Sequence, residues 1–227
     1  MSDRRPIAMF DLDHTLLPID SDQSWGRFTV SLGWVSSSDF HERNEDFYRQ
    51  YVAGTLDIHE YVLFATEAIR RKGRQDSLQA RQRYMNEVIE PAIKASALNL
   101  VDSHRRQGHR LVMVSATHEF VTQPIAERFG MEVLISTELE QDPTGWYNGN
   151  IKGVPALREG KVTRVNAWLA AQGLSWSEVQ TIFYSDSMND LPLLECVNHP
   201  VVTNPDPRLK AVALDRGWPL LQLFEPT

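Results

Sequence analysis

Short apolar runs that stop at polar residues recur along the chain and predict the strands of a buried sheet. Continuous apolar runs of this length are typical of parallel strands that are covered on both faces. The first run is followed by Asp11, the second by Ser115 and a later one by Ser185. The predicted strands lie at residues 7–10, 111–114, 133–135, 181–184, 201–202 and 220–221.

The segment between the first two strands has a different pattern, with aromatic and aliphatic residues at helical spacing from about residue 21 to residue 90. Gly33, Gly54 and Gly73 separate its parts, as glycines do where helices end. We therefore predict a helical insert of about four helices after the first strand, over residues 18–91. Residues 1–17 and 92–227 form the predicted core.

From residue 92 onward, helical and strand-like patterns alternate, which indicates an α/β fold with helices on both faces of a parallel sheet. Turn residues at 142–145 predict a β-hairpin within residues 138–151. In open α/β sheets, ligands bind beyond the carboxyl ends of the strands. The polar residues that follow the first, second and fourth strands are therefore expected to meet at one site. The predicted helices of this part lie at 92–107, 119–129, 161–172 and 207–214.

The composition limits the partners and the cellular compartment that we expect for the protein. The 227 residues are 42% hydrophobic and 23% charged, which suits a globular chain that buries a sizeable core. A net charge of −7 without a long basic run argues against duplex nucleic acid or an anionic membrane as a partner. A single cysteine, Cys196, excludes an intramolecular disulfide, and no apolar stretch is long enough for a signal peptide or a membrane span. These features predict a cytoplasmic protein.

Asp11 and Asp13 follow the first predicted strand and supply two carboxylates. We predict that Asp11 attacks phosphorus and forms an acyl-phosphate, which water then hydrolyses. Asp13 is predicted to be the general acid/base, with a pKa that neighbouring carboxylates raise. The alternative is a pair of aspartates that only caps a helix.

Asp186 and Asp190 follow a later strand and form an acidic cluster with Asp11. Like charges at short range repel, so the cluster is expected to hold a cation, and oxygen ligands in a small site suit Mg²⁺. We predict Asp11, Asp186 and the backbone carbonyl of Asp13 as direct ligands, with Asp190 orienting a metal-bound water. A helix N-terminus with favourable first-turn carboxylates is the alternative.

Ser115 and Lys161 complete the candidate site. Ser115 lies between a predicted strand and a helix, where its hydroxyl and the next backbone N–H groups can hold phosphate oxygens. Lys161 lies at a predicted helix start, where the helix dipole does not favour a cation. It is predicted to neutralise the transferring phosphoryl group. An ordinary helix-capping serine and a solvated surface lysine are the alternatives.

Together and in this order, these residues resemble the four motifs of the haloacid dehalogenase superfamily of phosphatases, and its phosphoserine-phosphatase-like branch in particular. The first motif, DxDxT, is matched at residues 11–15, the second at Ser115 and the third at Lys161. The fourth is matched at residues 185–190, where a serine replaces the usual glycine. The resemblance implies a Rossmann-like core, a helical cap after the first strand, Mg²⁺ and an aspartyl-phosphate intermediate. It also implies phosphate contacts from Ser115, the Ala116 backbone and Asn189.

The resemblance also bears on the substrate, which it implies to be a small phosphate ester. Phosphoserine phosphatases place a glutamate nine residues after the nucleophile to meet the substrate's amine. Here that position is Asp20, with Asp22 nearby. Ala116 and Thr117 stand where those enzymes usually have two glycines. An amine-bearing ester such as phosphoserine or histidinol phosphate would contact Asp20 or Asp22.

The sequence leaves other functions open. An unrelated small phosphate ester would fit a cap pocket lined by Trp25 or Phe28. A phosphotransferase or mutase would pass the phosphoryl group from Asp11 to an acceptor other than water. A non-catalytic phosphoacceptor, like a signalling receiver domain, also uses a strand-end aspartate, Mg²⁺, a Ser or Thr and a lysine. Asp13 and the cap argue against it, since a stable acyl-phosphate has no use for an acid/base or a substrate lid.

Overall fold

The computed structural model of the protein describes residues 4–225, and its strands lie where the apolar runs predict them. Each predicted strand is present, and the predicted hairpin adds two more. The strands are β1 (Ile7–Phe10), β2 (Arg110–His118), β3 (Val133–Thr137), β4 (Leu139–Gln141), β5 (Tyr147–Ile151), β6 (Thr181–Ser185), β7 (His199–Thr203) and β8 (Leu220–Leu221).

Eleven α-helices surround these strands within the described residues, and none of them is both long and apolar enough to cross a bilayer. They are α1 (Ser21–Ser31), α2 (Ser37–Ala53), α3 (Ile58–Ala65), α4 (Glu67–Lys72), α5 (Arg74–Tyr84), α6 (Glu90–Ala92), α7 (Ala95–Arg106), α8 (Glu119–Phe129), α9 (Glu159–Ala171), α10 (Leu191–Cys196) and α11 (Pro207–Arg216). A π-helical turn, Met85–Ile89, connects α5 to α6, and 3₁₀ turns occupy Trp176–Glu178 and Met188–Asp190.

Six strands form one parallel sheet in the order β3-β2-β1-β6-β7-β8, and β4 pairs with β5 in a separate antiparallel hairpin. Strand β1 is central, because Ile7 is in register with Arg110 of β2 on one side and with Thr181 of β6 on the other. The strand order reverses beside β1, and such a switch point leaves a crevice at the carboxyl ends of the strands. The predicted α/β fold with a Rossmann-like parallel sheet is confirmed.

Alternate residues of β1 face opposite sides of the sheet, and each side has its own apolar core. Ala8 and Phe10 belong to one cluster of buried residues, whereas Ile7 and Met9 belong to the other. The first cluster continues into the helices that follow β1, where it includes Trp25 of α1. Burial of each large apolar side chain stabilises the fold by roughly 1.5–3 kcal/mol. The strand that leads into the first motif is therefore fixed from both faces.

The predicted insert, from about residue 21 to residue 90, is helical, but it contains five main helices, α1 to α5, where about four were expected. The additional break falls at Thr66, between α3 and α4. Thr66 is fully buried, and its hydroxyl donates to the carbonyl of Val62 (2.6 Å). A hydroxyl that bonds back one turn tends to bend a helix. The division into a core and a cap at residues 18–91 stays a prediction.

The hairpin β4–β5 contacts two of the inserted helices. Strand β5 packs against α3 and α4. The indole Nε1 of Trp146, just before β5, donates to the carbonyl of Ile69 in α4 (3.0 Å). The hairpin predicted within residues 138–151 is confirmed, and it braces the inserted helices.

Strand β2 is longer than its apolar run predicts. It continues past Ser115 and ends at His118, which pairs with Thr137 of β3 after a shift in register. The hydroxyl of Thr137 also donates to the carbonyl of Ala116 (2.7 Å), so β3 holds the polar end of β2 in the sheet. Ser115 therefore lies within the strand, whereas the sequence places it after the strand.

Candidate active site

The acidic residues of the first and fourth motifs lie at the carboxyl ends of two neighbouring strands. Asp11 follows β1, and its backbone N–H donates to the carbonyl of Tyr184 in β6 (2.9 Å). Asp186 follows β6 and is joined to the first motif by Thr15. The Thr15 hydroxyl donates to Asp186 Oδ1 (2.9 Å) and accepts from the Asp186 backbone N–H (3.0 Å). The sheet topology thus brings together two motifs that are far apart in sequence.

Lys161 is 2% exposed and lies between two carboxylates, which rules out a solvated surface lysine. Its Nζ donates to Asp11 Oδ1 and to Asp190, both at 2.7 Å. Burial opposes the charged form, but the Asp11 and Asp190 carboxylates raise the pKa of Lys161 above its ordinary value. Asp190 also accepts from Ser185 Oγ (2.7 Å), and burial raises its pKa to about 6 against the effect of Lys161. The ammonium group of Lys161 therefore contacts the predicted nucleophile, Asp11.

Asp13 lies near Asp11 but has different hydrogen-bond partners. Its Oδ1 accepts from the backbone N–H of Ser21 (2.7 Å), and its Oδ2 accepts from the Thr117 hydroxyl (2.9 Å). Burial, together with the charge of Asp20, raises the pKa of Asp13 to about 7. A carboxyl group with such a pKa can both give and take a proton near neutral pH. This environment suits the predicted general acid/base.

One cavity of about 410 Å³ lies between the sheet and the inserted helices. Asp20 and Asp22 line it at the start of α1, Tyr51 lines it from α2 and Tyr61 from α3. Asp20 also caps α1, because its Oδ1 accepts from the backbone N–H of Gln23 (2.8 Å). Asp22 Oδ2 accepts from the Tyr61 hydroxyl (2.8 Å), whereas its Oδ1 is buried without a hydrogen-bond partner. Burial raises the pKa of Asp20 and of Asp22 to about 6.

A buried histidine lies beside Asp22. His118 Nε2 is 3.5 Å from Asp22 Oδ1, and neither ring nitrogen of His118 makes a hydrogen bond. Burial lowers the pKa of His118 to about 4, so the ring is neutral and does not form an ion pair with Asp22 at neutral pH. Asp22 Oδ1 therefore has neither a hydrogen bond nor an ion pair among the residues that the structure describes.

The structure brings most of the predicted site residues to this cavity and leaves others outside it. Ser115 does not line it: Ser115 is 1% exposed, and its Oγ accepts from the backbone N–H of Thr117 (3.2 Å). The predicted phosphate contact of Ser115 stays a prediction. The cap pocket predicted beside Trp25 or Phe28 is wrong, because both rings are buried in the first apolar cluster. The predicted residues that line the cavity are Asp11, Asp13, Asp20, Asp22, Ala116, Lys161, Asp186, Asn189 and Asp190.

Comparisons with known proteins identify the family to which this arrangement belongs. The family model of the haloacid dehalogenase-like hydrolases matches residues 8–195. The chain belongs to this family. It is 40% identical over 216 residues to a histidinol-phosphatase of Neisseria meningitidis serogroup C, covering 95% of this chain and 97% of that protein. It is 26% identical over 226 residues to a phosphoserine phosphatase of Mycobacterium tuberculosis, covering 96% and 72%.

Solved structures show the same haloacid dehalogenase-like fold. A protein of unknown function from Bordetella pertussis Tohama I matches with a TM-score of 0.91 at 40% identity, covering 98% of this chain and 100% of that one. A phosphoserine phosphatase solved as a phospho-aspartyl intermediate analogue has a TM-score of 0.67 at 13% identity, covering 98% and 95%. At that identity the likeness shows the fold alone. The resemblance predicted from the four motifs is confirmed.

Hydrolases of this family generally use Mg²⁺, and the donor atoms of this chain fit such an ion. Burial, together with the neighbouring Asp11 carboxylate, raises the pKa of Asp186 well above its ordinary value. A cation between the two carboxylates would offset this repulsion, and oxygen donors suit Mg²⁺. Among residues 4–225, no three acidic, His or Cys side chains form a metal-binding group by themselves. The predicted ligands, two carboxylates and the Asp13 carbonyl, leave positions for water and phosphate, and they stay predictions together with Asp190.

Thr117, Tyr61 and Arg158 contact predicted site residues but were not themselves predicted as site residues. Thr117 contacts Asp13, and the only sequence signal for it is its place two residues after Ser115. Tyr61 contacts Asp22, but in the sequence it is one aromatic residue among several in a helical pattern. Arg158 contacts Asn189 and precedes Lys161 by one helical turn, which does not distinguish it from a surface arginine.

Proposed function

We propose that this hydrolase is a Mg²⁺-dependent phosphomonoesterase that hydrolyses a small phosphate ester with a cationic group through an aspartyl-phosphate on Asp11. The cavity supports this proposal, because its two ends differ. Asp11, Asp13 and Lys161 line the end at the sheet, and acidic and aromatic side chains line the end at the inserted helices. The family and the relatives named as phosphatases make the chain a phosphatase. We propose that it acts in the cytoplasm.

In the proposed first step, an Asp11 carboxylate oxygen attacks phosphorus and the ester P–O bond breaks. Protonated Asp13 gives its proton to the leaving oxygen, so the product leaves as an alcohol. Lys161 lies against Asp11 and balances the negative charge that the phosphoryl group brings. Bound Mg²⁺, held by Asp11, Asp186 and the Asp13 carbonyl, would supply further positive charge at the phosphate oxygens.

In the proposed second step, Asp13 is ionised and takes a proton from a water molecule. The water oxygen forms a bond to phosphorus, and the bond between phosphorus and the Asp11 oxygen breaks. Inorganic phosphate is released, Asp11 is again a carboxylate and Asp13 again carries a proton. The hydrogen bonds from Ser21 and Thr117 keep Asp13 in place for both transfers.

The part of the cavity lining that the inserted helices contribute favours histidinol phosphate over phosphoserine. Among the described residues that line the cavity between positions 20 and 61, Asp20 and Asp22 are acidic and none is Lys or Arg. The carboxylate of phosphoserine would meet no countercharge there, whereas an amine or an imidazolium would be attracted. Phe47 and Tyr51 also line this part of the cavity, and aromatic rings attract such a cation. The relative named histidinol-phosphatase supports the same substrate.

A panel of four esters tests this function with purified protein. We expect kcat/KM to be highest for histidinol phosphate, lower for phosphoethanolamine, and at least about tenfold lower for phosphoserine and glycerol phosphate. Phosphate release should require Mg²⁺ and stop with EDTA. Equal rates for glycerol phosphate and histidinol phosphate would contradict the proposed substrate. Absence of Mg²⁺-dependent release from all four esters would contradict the proposed function.

Two matched variants separate the acidic residues of the cavity. Asp22→Asn keeps the size of the side chain and an oxygen for Tyr61, but removes the charge. It should lower kcat/KM for histidinol phosphate about tenfold and leave the rate on glycerol phosphate unchanged. Asp20→Asn should have a smaller effect, because one Asp20 oxygen is already used to cap α1. Asp11→Asn should abolish turnover of every ester.

A further inference from the structure

A strained arginine joins the inserted helices to the fourth motif. Arg158, just before α9, has φ 54° and ψ −123°, a conformation that residues other than glycine rarely adopt. Its Nε donates to Asn189 Oδ1 (3.1 Å), and its Nη1 donates to the carbonyl of Gly54 (2.8 Å). Gly54 ends α2, and Asn189 lies in the turn after β6. Strained backbone persists where its surroundings hold it, often at functional sites.

The guanidinium decides which end of the Asn189 amide is left for other partners. A guanidinium group donates hydrogen bonds and accepts none, so Asn189 has to turn its Oδ1 towards Arg158. One N–H of the Nδ2 group then faces the Tyr51 hydroxyl, and the other is left for the cavity that Asn189 lines. Donors attract a phosphoryl oxygen, whereas an amide oxygen in the same place would repel it. The contact therefore sets the polarity of the amide at the phosphate end of the cavity.

The same end of α2 contacts the same turn a second time. The Tyr51 hydroxyl lies 3.3 Å from Ser187 Oγ, two residues before Asn189. Both contacts join the inserted helices to the residues that follow β6. Both contacts require α2 to lie over the turn, because Tyr51 is part of α2 and Gly54 is the residue that ends it.

We propose that Arg158 is a positioning residue that orients the Asn189 amide towards the phosphoryl group when the Gly54 carbonyl is in place. Closure of the inserted helices and phosphate binding are thereby coupled through one side chain. The inference rests on the proposed phosphate site, but it does not depend on which group the phosphate ester carries.

Gly54 allows a matched test of this contact. A Cβ at Gly54 (φ 80°) would lie 3.0 Å from Arg158 Nη2, so the guanidinium would have to shift by a few tenths of an ångström. Gly33 has a similar φ of 69°, but nothing lies within 4 Å of a Cβ there. Alanine strains the backbone at both positions, and it presses on Arg158 at only one of them. Gly33→Ala is therefore the control for Gly54→Ala.

The measurements are KM and kcat for a small phosphate ester and the inhibition constant of inorganic phosphate, all with Mg²⁺. Arg158→Ala should raise KM and the phosphate inhibition constant on the order of tenfold, with a smaller change in kcat. Added guanidinium ions should restore part of the phosphate affinity, and ammonium ions should not. Arg128→Ala is the control, because Arg128 pairs with Glu90 (2.7 Å) and neither residue lines the cavity.

Gly54→Ala should raise the phosphate inhibition constant and Gly33→Ala should not. An unchanged constant in Arg158→Ala would overturn the proposal, as would equal effects of the two alanine variants at glycine. If Arg158→Ala does not fold, Arg158→Lys and Gly54→Ala carry the same test, since both keep a cationic side chain at the half-buried position 158. A wild-type protein that hydrolyses no ester would contradict the proposed function, and thermal stabilisation by phosphate would still test Arg158.

Discussion

At the scale of single residues, Thr15 holds one of the acids of the site in place. Thr15 is fully buried, and its hydroxyl makes two hydrogen bonds to Asp186, one as a donor and one as an acceptor. These bonds keep the carboxylate of the fourth motif next to the first motif. Partners of this kind typically affect metal affinity 10- to 100-fold.

Thr15→Val tests that role with a side chain of similar shape. Without the hydroxyl, Asp186 loses both bonds, and we expect the Mg²⁺ concentration for half-maximal activity to rise about 10- to 100-fold. The measurement is a Mg²⁺ titration of the initial rate. Thr163→Val is the control, because its hydroxyl only donates to the Glu159 carbonyl within α9 (3.0 Å). The same Mg²⁺ requirement in Thr15→Val and wild type would refute the prediction.

Asp13 offers a second prediction at this scale. Asparagine cannot give a proton to a leaving alkoxide, so Asp13→Asn should slow alkyl phosphate esters about 100-fold or more. A p-nitrophenyl ester needs less help, because its leaving group is a weaker base, and its aspartyl-phosphate should form at a nearly normal rate. A burst of p-nitrophenol in stopped-flow experiments checks this. Equal slowing of the burst and of alkyl ester turnover would show that Asp13 is not the acid.

The hairpin β4–β5 is the element that braces the inserted helices from the side of the core. Its Trp146 donates to the carbonyl of Ile69, which belongs to α4 and lies in the first apolar cluster. Trp146 also packs edge-on against Phe120 of α8. The hairpin therefore links α8 to α4 of the inserted helices.

Trp146→Phe should loosen this link without removing the aromatic packing. The lost hydrogen bond is worth about 1 kcal/mol of unfolding free energy. Amide hydrogen exchange should become faster in α3 and α4 and stay unchanged in α11, on the far part of the sheet. Faster exchange spread evenly over the chain would indicate a general loss of stability and contradict this assignment.

The elements follow from local pattern more closely than the site does. The apolar run of β1 and the turn residues of the hairpin act over a few residues, so the sequence predicts both. The end of β2 depends on Thr137 of the neighbouring strand, and its extension to His118 was therefore missed. Trp25 was misassigned for the same reason. Its spacing predicts that it is buried, but not whether it lines the cavity or packs in the core. The contacts of Arg158 with Gly54 and Asn189 join three distant segments and carry no local signal.

The whole molecule carries several buried acids around one cavity, and this arrangement makes its stability depend on pH. Burial raises the pKa of Asp22 to about 6, above the ordinary value of 3.8. A raised pKa in the folded state means that the folded state binds the proton more tightly than the unfolded state. The contribution of Asp22 to stability is therefore greatest below about pH 4 and is lost as pH rises through 6.

Asp22→Asn should consequently stabilise the protein at pH 8 by an amount on the order of a few kcal/mol and much less at pH 4. The asparagine still offers an oxygen to the Tyr61 hydroxyl, so the main change is the loss of a buried charge. Urea unfolding at several pH values measures the difference. Asp215→Asn, at an exposed position of α11, is the control. A difference between Asp22→Asn and wild type that does not vary with pH would disprove this explanation.

The central place of β1 has a consequence for unfinished chains. A nascent polypeptide that has been synthesised only up to residue 180 already contains the inserted helices and three of the four motifs. It lacks β6, so the Asp11 amide has no Tyr184 carbonyl to bind and one side of β1 is open. An open strand edge invites pairing with other chains. Premature termination or proteolytic cleavage at this point would yield an aggregation-prone fragment without activity. Strand β6 must therefore be synthesised before Asp11 can be held in its position.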